Sequence, residues 1–164
     1  MAKKNERLVV VMLESKLPGE EFEIWPPHIT IVPWFPCDDS RRLGTVLSEV
    51  ARRHRPLEVS SGEVEVWGGK DKFEVLKIED EGALLELHQD VFNSLENNGF
   101  SIHQKDYLGD KYTPHVTLRN HESENFRPAA GTALIINRFA LIRQVRLKKS
   151  GRMIKSLVRE YELG

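Results

Sequence analysis

Cysteine is almost missing from this chain: Cys37 is the only one in 164 residues, so no internal disulfide can form. That suits a reducing compartment and excludes the disulfide-stapled secreted scaffolds. Long apolar runs are missing too. The run Leu8 to Leu13 near the N-terminus is far shorter than a membrane span. It is also too short for a signal-peptide core with a cleavage site behind it, and it reads as a first strand. A soluble, cytoplasmic protein without membrane contact is expected. There is no His-Glu-x-x-His, no paired-cysteine motif and no Gly-rich phosphate loop, so neither a metal centre nor a cofactor is expected. Gly68-Gly69 reads as a hairpin turn instead. Excess positive charge is also lacking. The formal net charge is −1, whereas a domain that grips long duplexes by their phosphates is far more basic.

The charge is uneven along the chain. From Arg138 to Arg159 there are eight Lys or Arg and no Asp or Glu. This is either a solvated basic strand pair or a local field for a small anion or a nucleic-acid end. The length fits one domain of two lobes, residues 1–164, able to bury roughly 68–70% of its unfolded surface. Nothing points to a protein partner, and a monomer is expected.

Two helices stand out. Asp38-Asp39-Ser40 offers N-cap groups, and Leu43, Val46, Leu47 and Val50 follow at helical spacing up to Arg52-Arg53-His54-Arg55 and Pro56. That basic run suits a helix C-terminus. The second helix spans Ala83 to Asn97, with Leu84, Leu87, Val91 and Leu95 on one face and Asn98-Gly99 as its C-cap signal. His88 falls on the apolar side as a partly buried packing residue. Strands are expected over Arg7–Leu13, Ile29–Phe35, Leu57–Trp67, Phe73–Glu79, Phe100–His103, His115–Arg119, Ala133–Leu147 and Met153–Leu163. Pro33 makes the second of these an edge or bulged strand. Without regular strand–helix alternation, the pattern is α+β with mostly antiparallel sheet.

The chemistry lies in a repeated motif. Pro27-His28-Ile29-Thr30-Ile31 and Pro114-His115-Val116-Thr117-Leu118 share the pattern Pro-His-apolar-Thr-apolar, about half a chain apart. In a strand, His and Thr point to one face and the apolar pair to the other. Were the two strands adjacent, two imidazoles and two hydroxyls would converge on one cleft. A neutral imidazole can take a proton from an attacking hydroxyl or water, and a protonated one can give a proton to the leaving oxygen. The hydroxyls of Thr30 and Thr117 can donate to non-bridging phosphoryl oxygens. Trp34 and Tyr112 flank the motif strands and could stack a base. Lys111 and Arg143 could add charge. His54, His103 and His121 have no partner pattern.

The two motifs, their spacing and the strand–helix order resemble the two-histidine (2H) phosphoesterases, nearest the 2′-5′ RNA ligase-like and cyclic nucleotide phosphodiesterase branch. The resemblance implies a bilobal, pseudo-symmetric pair of antiparallel sheets with helices outside and both motifs in a central cleft. It implies metal-free action on 2′,3′-cyclic or 2′,5′-linked phosphates of a small nucleotide or RNA end. His28 and His115 would be acid and base, and Thr30 and Thr117 would hold the phosphate. The chain departs at one place. Related proteins often carry an Arg five residues after the second His; here that position is Asn120, and Arg119 stands one earlier. Strand alternation puts Arg119 on the face of His115 and Thr117, where it is either within reach of the anion or a surface residue at the strand end, and cyclic phosphodiesterase is the activity favoured. The rival expectation, of another class, is a nucleotide or RNA-end binding module that keeps the cleft without turnover.

Overall fold

The computed structural model describes residues 5–104, 108–118 and 126–164. The first apolar run forms β1 (Glu6–Met12), with Leu8, Val9, Val10 and Val11 all buried. A run without polar alternation is explained by its position: β1 is an inner strand covered on both faces. The motif strand β3 (His28–Pro36) pairs with one side of it and β8 (Arg138–Arg146) with the other. With the two-residue β2 (Glu21–Phe22) and the long β9 (Met153–Glu162), these build a five-stranded sheet of order β2-β9-β8-β1-β3. A second sheet has the order β6-β5-β4-β7, from β4 (Leu57–Trp67), β5 (Phe73–Glu79), β6 (His115–Thr117) and β7 (Ala133–Ile136). Every ladder in both sheets is antiparallel.

The helices lie where the periodicity puts them. In α1 (Ser40–Arg53) the Asp39 carboxylate accepts from the Arg42 amide at 3.0 Å, and Leu43, Val46, Leu47 and Val50 face inward. In α2 (Ala83–Asn97) the first turn is capped by Asp80, whose two oxygens accept from the amides of Leu84 and Leu85. The basic end of α1 is structural: Arg53 and His54 both contact the Asp90 carboxylate of α2 at 2.8 Å. Both helices and one face of each sheet share a single apolar core, containing Ile29, Ile31, Leu47, Leu76, Leu87, Val116 and Phe139. The opposite face of the five-stranded sheet carries a smaller cluster, Leu8, Val10, Phe22, Ala140, Ile142 and Leu157, with Trp25 and Trp34 packed on it.

Two expectations need correction. Ala133–Leu147 is two strands, because the chain leaves one sheet after Ile136 and enters the other at Arg138. Only Asn137 separates the two strands. Residues 100–103 form no strand: Phe100 and Ile102 are buried in the core, with Phe100 edge-on to Phe35, but no neighbouring strand pairs with them. The two motif strands lie adjacent, as expected, but share no ladder: each is the outer strand of its own sheet. Pro33 does sit on an edge strand, and the ladder to β1 is bulged, with shifts between Arg7 and Val9 and between Val9 and Val10.

One core serves both sheets, so they should unfold together. Leu87→Ala should cost about 2–5 kcal/mol, the usual effect of a large-to-small core change. The transition should stay single, with far-UV circular dichroism and tryptophan fluorescence giving one midpoint in urea. Two separated transitions would refute the shared core.

Candidate active site

β3 and β6 approach each other as the facing outer strands of the two sheets. Their apolar residues Ile29 and Val116 are fully buried, so alternation turns His28, Thr30 and His115 the other way. There they line a cleft of about 680 Å³. Its walls also hold all three tryptophans, Trp25, Trp34 and Trp67, together with Phe73, Tyr112 and Gln104. Gly68, in the turn after β4, forms part of the rim at φ +93°, and a Cβ there would meet the Asp71 carbonyl at 2.6 Å. Only glycine fits that corner.

The two histidines are held in the same way. His28 Nδ1 donates to the Pro26 carbonyl at 2.9 Å, and His115 Nδ1 donates to the Thr113 carbonyl at 2.8 Å. A carbonyl only accepts, so Nδ1 carries the proton in both rings, and Nε2 keeps its lone pair. The proline between the carbonyl and the imidazole explains why the motif begins with it. Its ring fixes its own φ and keeps the residue before it extended, which stiffens the segment from carbonyl to His.

Each imidazole also packs on a tryptophan. Trp25 lies 4.1 Å from His28 between ring centroids, and Trp67 lies 4.6 Å from His115. Trp67 donates to Glu65 at 2.9 Å, and Glu65 faces Lys77, the cross-strand neighbour of His115. Lys155 sits 5.7 Å from the Trp25 ring. Burial pushes His28 down to about 4, and the nearby His115 and Lys155 act in the same direction. Burial also lowers His115, and it lowers Lys155.

Other expected residues divide. Thr30 and Trp34 are in the cleft wall. Tyr112 is there too, with its hydroxyl donating to the Thr30 carbonyl at 2.8 Å and its ring stacked on His88. Thr117 lies on the His115 face of β6, half-buried, but outside the cleft lining. Arg119 and His121 lie outside the described residues. Lys111 does not reach the lining, and Arg143 bonds Asn5 instead. Residue order does not single out Trp25 and Trp67, since stacking on a histidine leaves no mark in it. His88, expected as partly buried packing, is fully buried with both ring nitrogens bonded. No group of three or more His, Cys, Asp or Glu placed to hold a metal ion occurs among the described residues.

Residues 6–146 match the family model of the 2′-5′ RNA ligase superfamily. The chain belongs to the 2′-5′ RNA ligase superfamily. Solved structures agree on the fold of this superfamily member. A protein of Thermus thermophilus superposes with a TM-score of 0.63 at 15% identity, covering 96% of this chain and 97% of its own. Escherichia coli LigT in complex with 3′-AMP gives 0.61 at 14% identity, over 99% of both chains. A structure described as a phosphoesterase gives 0.61 at 14%, over 98% of both. No curated protein matches the chain in sequence. The α+β class with two antiparallel sheets is that of the LigT-like fold, and no helix among the described residues is long and apolar enough to cross a membrane.

The depressed histidines make stability depend on pH. Below its ordinary value of 6.5 an unfolded His takes a proton that folded His28 refuses down to about 4. The unfolded state therefore binds more protons in that window, and stability falls as pH drops through it. His28 alone should contribute roughly 2–3 kcal/mol to the loss, and His88 and His115 add to it with the same sign. Urea midpoints measured from pH 7 to pH 5 should decline in the parent and decline less in His28→Gln. A flat parent profile would contradict the burial of these rings.

Proposed function

We propose that this protein is a metal-independent phosphoesterase that acts on 2′,3′-cyclic or 2′,5′-linked nucleotide or RNA phosphodiesters, with His28 and His115 as its acid–base pair. The observation that carries this reading is the matched pair of imidazoles lining one cleft, each with Nδ1 bonded to a carbonyl two residues back. Both rings thus keep Nε2, the proton-transferring nitrogen, unused by that bond. A pure binder of anions gains nothing from two such histidines that Lys or Arg would not supply better.

In hydrolysis of a cyclic phosphate, water attacks phosphorus and gives its proton to Nε2 of the neutral imidazole. The bond from phosphorus to one ribose oxygen breaks, and that oxygen takes the proton from Nε2 of the protonated imidazole. The product is a ribose phosphomonoester, and the two histidines have exchanged protonation states. A hydroxyl in place of water gives transfer by the same proton movements. The Thr30 hydroxyl, in the cleft wall, and the Thr117 hydroxyl, further along β6, donate to non-bridging oxygens where charge accumulates. Trp25, Trp34, Trp67 and Phe73 offer flat apolar surface for a base or ribose. The E. coli LigT structures contain 3′-AMP, NADP+, phosphate and ATP, which supports phosphate-bearing nucleotides as the ligand class.

His28→Ala and His115→Ala should each lower turnover of a 2′,3′-cyclic nucleotide by about 10²–10⁴-fold, with Thr30→Val and Thr117→Val costing less. Two folded histidine variants that turn over within about threefold of the parent would replace this reading with a non-catalytic binding module.

The pH dependence has a definite sign. Both imidazoles lie below their ordinary value in the free protein, so the singly protonated pair is most populated on the acid side of 6.5. The kcat/KM profile should be a bell with its maximum there. A bound phosphate anion raises both groups, so the kcat profile should move upward in pH. The limbs belong to the pair and not to either residue. A plateau extending from pH 7 to 9 would contradict this. Treatment with EDTA should leave turnover unchanged; loss that zinc or manganese restores would promote a metallohydrolase instead.

A further inference from the structure

His88 stands in the middle of α2 with no exposed surface, yet both of its ring nitrogens have backbone partners. Nδ1 donates to the Ile31 carbonyl at 2.6 Å, and Nε2 accepts from the Gly109 amide at 2.9 Å. An amide only donates and a carbonyl only accepts, so the ring has one possible tautomer and must be neutral. Burial lowers the proton affinity of His88 and keeps it in that form. The Tyr112 ring lies parallel to the imidazole at 4.1 Å, within 4°.

The two partners are not arbitrary pieces of core. On β3, Thr30 faces Val10 and Val32 faces Val9, so Ile31 is the extra residue of the bulge. A bulged residue is left out of the ladder, and here its carbonyl is taken up by His88. The neighbouring Thr30 carbonyl is taken up by Tyr112, the residue stacked on His88. Gly109, the other partner, opens the short 3₁₀ turn Gly109–Lys111. From there the chain runs through Tyr112 to Thr113, whose carbonyl fixes the His115 ring. One imidazole thereby joins the strand that bears His28 and Thr30 to the segment that aims His115, although β3 and β6 share no ladder. A histidine needed only to fill the core would be satisfied by any donor and acceptor.

We propose that His88 is a positioning residue: its two backbone bonds set the separation and aim of His28 and His115 across the cleft. The proposal rests on the acid–base reading of that pair. A misplacement of order 1 Å in a reacting group costs up to about 10²-fold in rate, so the effect of loosening this bridge falls on kcat. The substrate itself does not touch His88, so KM changes little.

The test compares His88→Phe, which keeps a stackable ring but bonds neither partner, with His88→Gln, whose amide again offers one donor and one acceptor. A 2′,3′-cyclic nucleotide serves as substrate, well below each variant's melting temperature. His88→Phe should lose about 10- to 100-fold in kcat, with KM within about threefold, and His88→Gln should recover most of the loss. Nuclear magnetic resonance supplies a readout independent of turnover. In His88→Phe the Gly109 amide should exchange at least about tenfold faster, and the His115 ring nitrogens should report a mixture of tautomers. Both should return in His88→Gln. Should His88→Phe fail to fold, His88→Asn, too short to reach both partners, should show the same signs in weaker form. A folded variant with parental kcat, or with unchanged Gly109 exchange and His115 tautomer, overturns the proposal. Absence of turnover in the parent would instead refute the acid–base reading, and the resonance comparison would still decide whether His88 governs the His115 ring.

Discussion

A proton on Nδ1 of each cleft histidine, shared with the carbonyl two residues earlier, is the constraint on which the site depends. Without it each ring would exchange between two tautomers of similar energy, and the two could present any of four combinations to a ligand. With it, both present one. The bond needs a stiff approach to the histidine, which proline supplies, and a strand whose next residue is anchored in the core, which Ile29 and Val116 supply. The edge position of both strands follows. An inner strand would have a neighbour on the side where the other sheet comes close.

Matched geometry does not make the two histidines equal. His28 packs against Trp25, with the Lys155 ammonium beyond it, and that positive charge disfavours a second one on the ring. His115 packs against Trp67, whose indole N–H is turned toward the Glu65 carboxylate, with Lys77 next to it across the ladder. The backbone near each motif repeats while the charged surroundings differ.

Much of this was legible in residue order. The bounds of α2 coincide with those expected, because four apolar residues at helical spacing and an Asn-Gly stop are local signals. The motif faces were legible for the same reason: alternation along a strand needs no knowledge of its neighbours. Features that depend on neighbours were not. The switch between sheets is marked only by Asn137, a single turn-favouring residue between two stretches that favour strands, which is too weak a signal to divide them. Phe100 and Ile102 alternate like a strand, yet the core takes their side chains without pairing their backbone. The tryptophan on His115 and the partners of His88 are contacts between distant segments, and only the folded chain brings them together.

The order of the strands also dictates when the fold can close. β1 is an inner strand, and its two neighbours are β3, which follows it closely, and β8, which comes near the end of the chain: Leu8 faces Ile142. On a ribosome, β1 and β3 emerge early with one side of β1 unpaired, and an unpaired apolar strand edge invites pairing with other chains. The second sheet lacks its outer strand β7 until residue 136 has been made, and the first sheet lacks β8 until residue 146 and β9 until residue 162. Closing so long a loop is slow. From residue 12 to residue 146 the nascent chain therefore carries a hydrophobic strand, β1, that waits for its second neighbour.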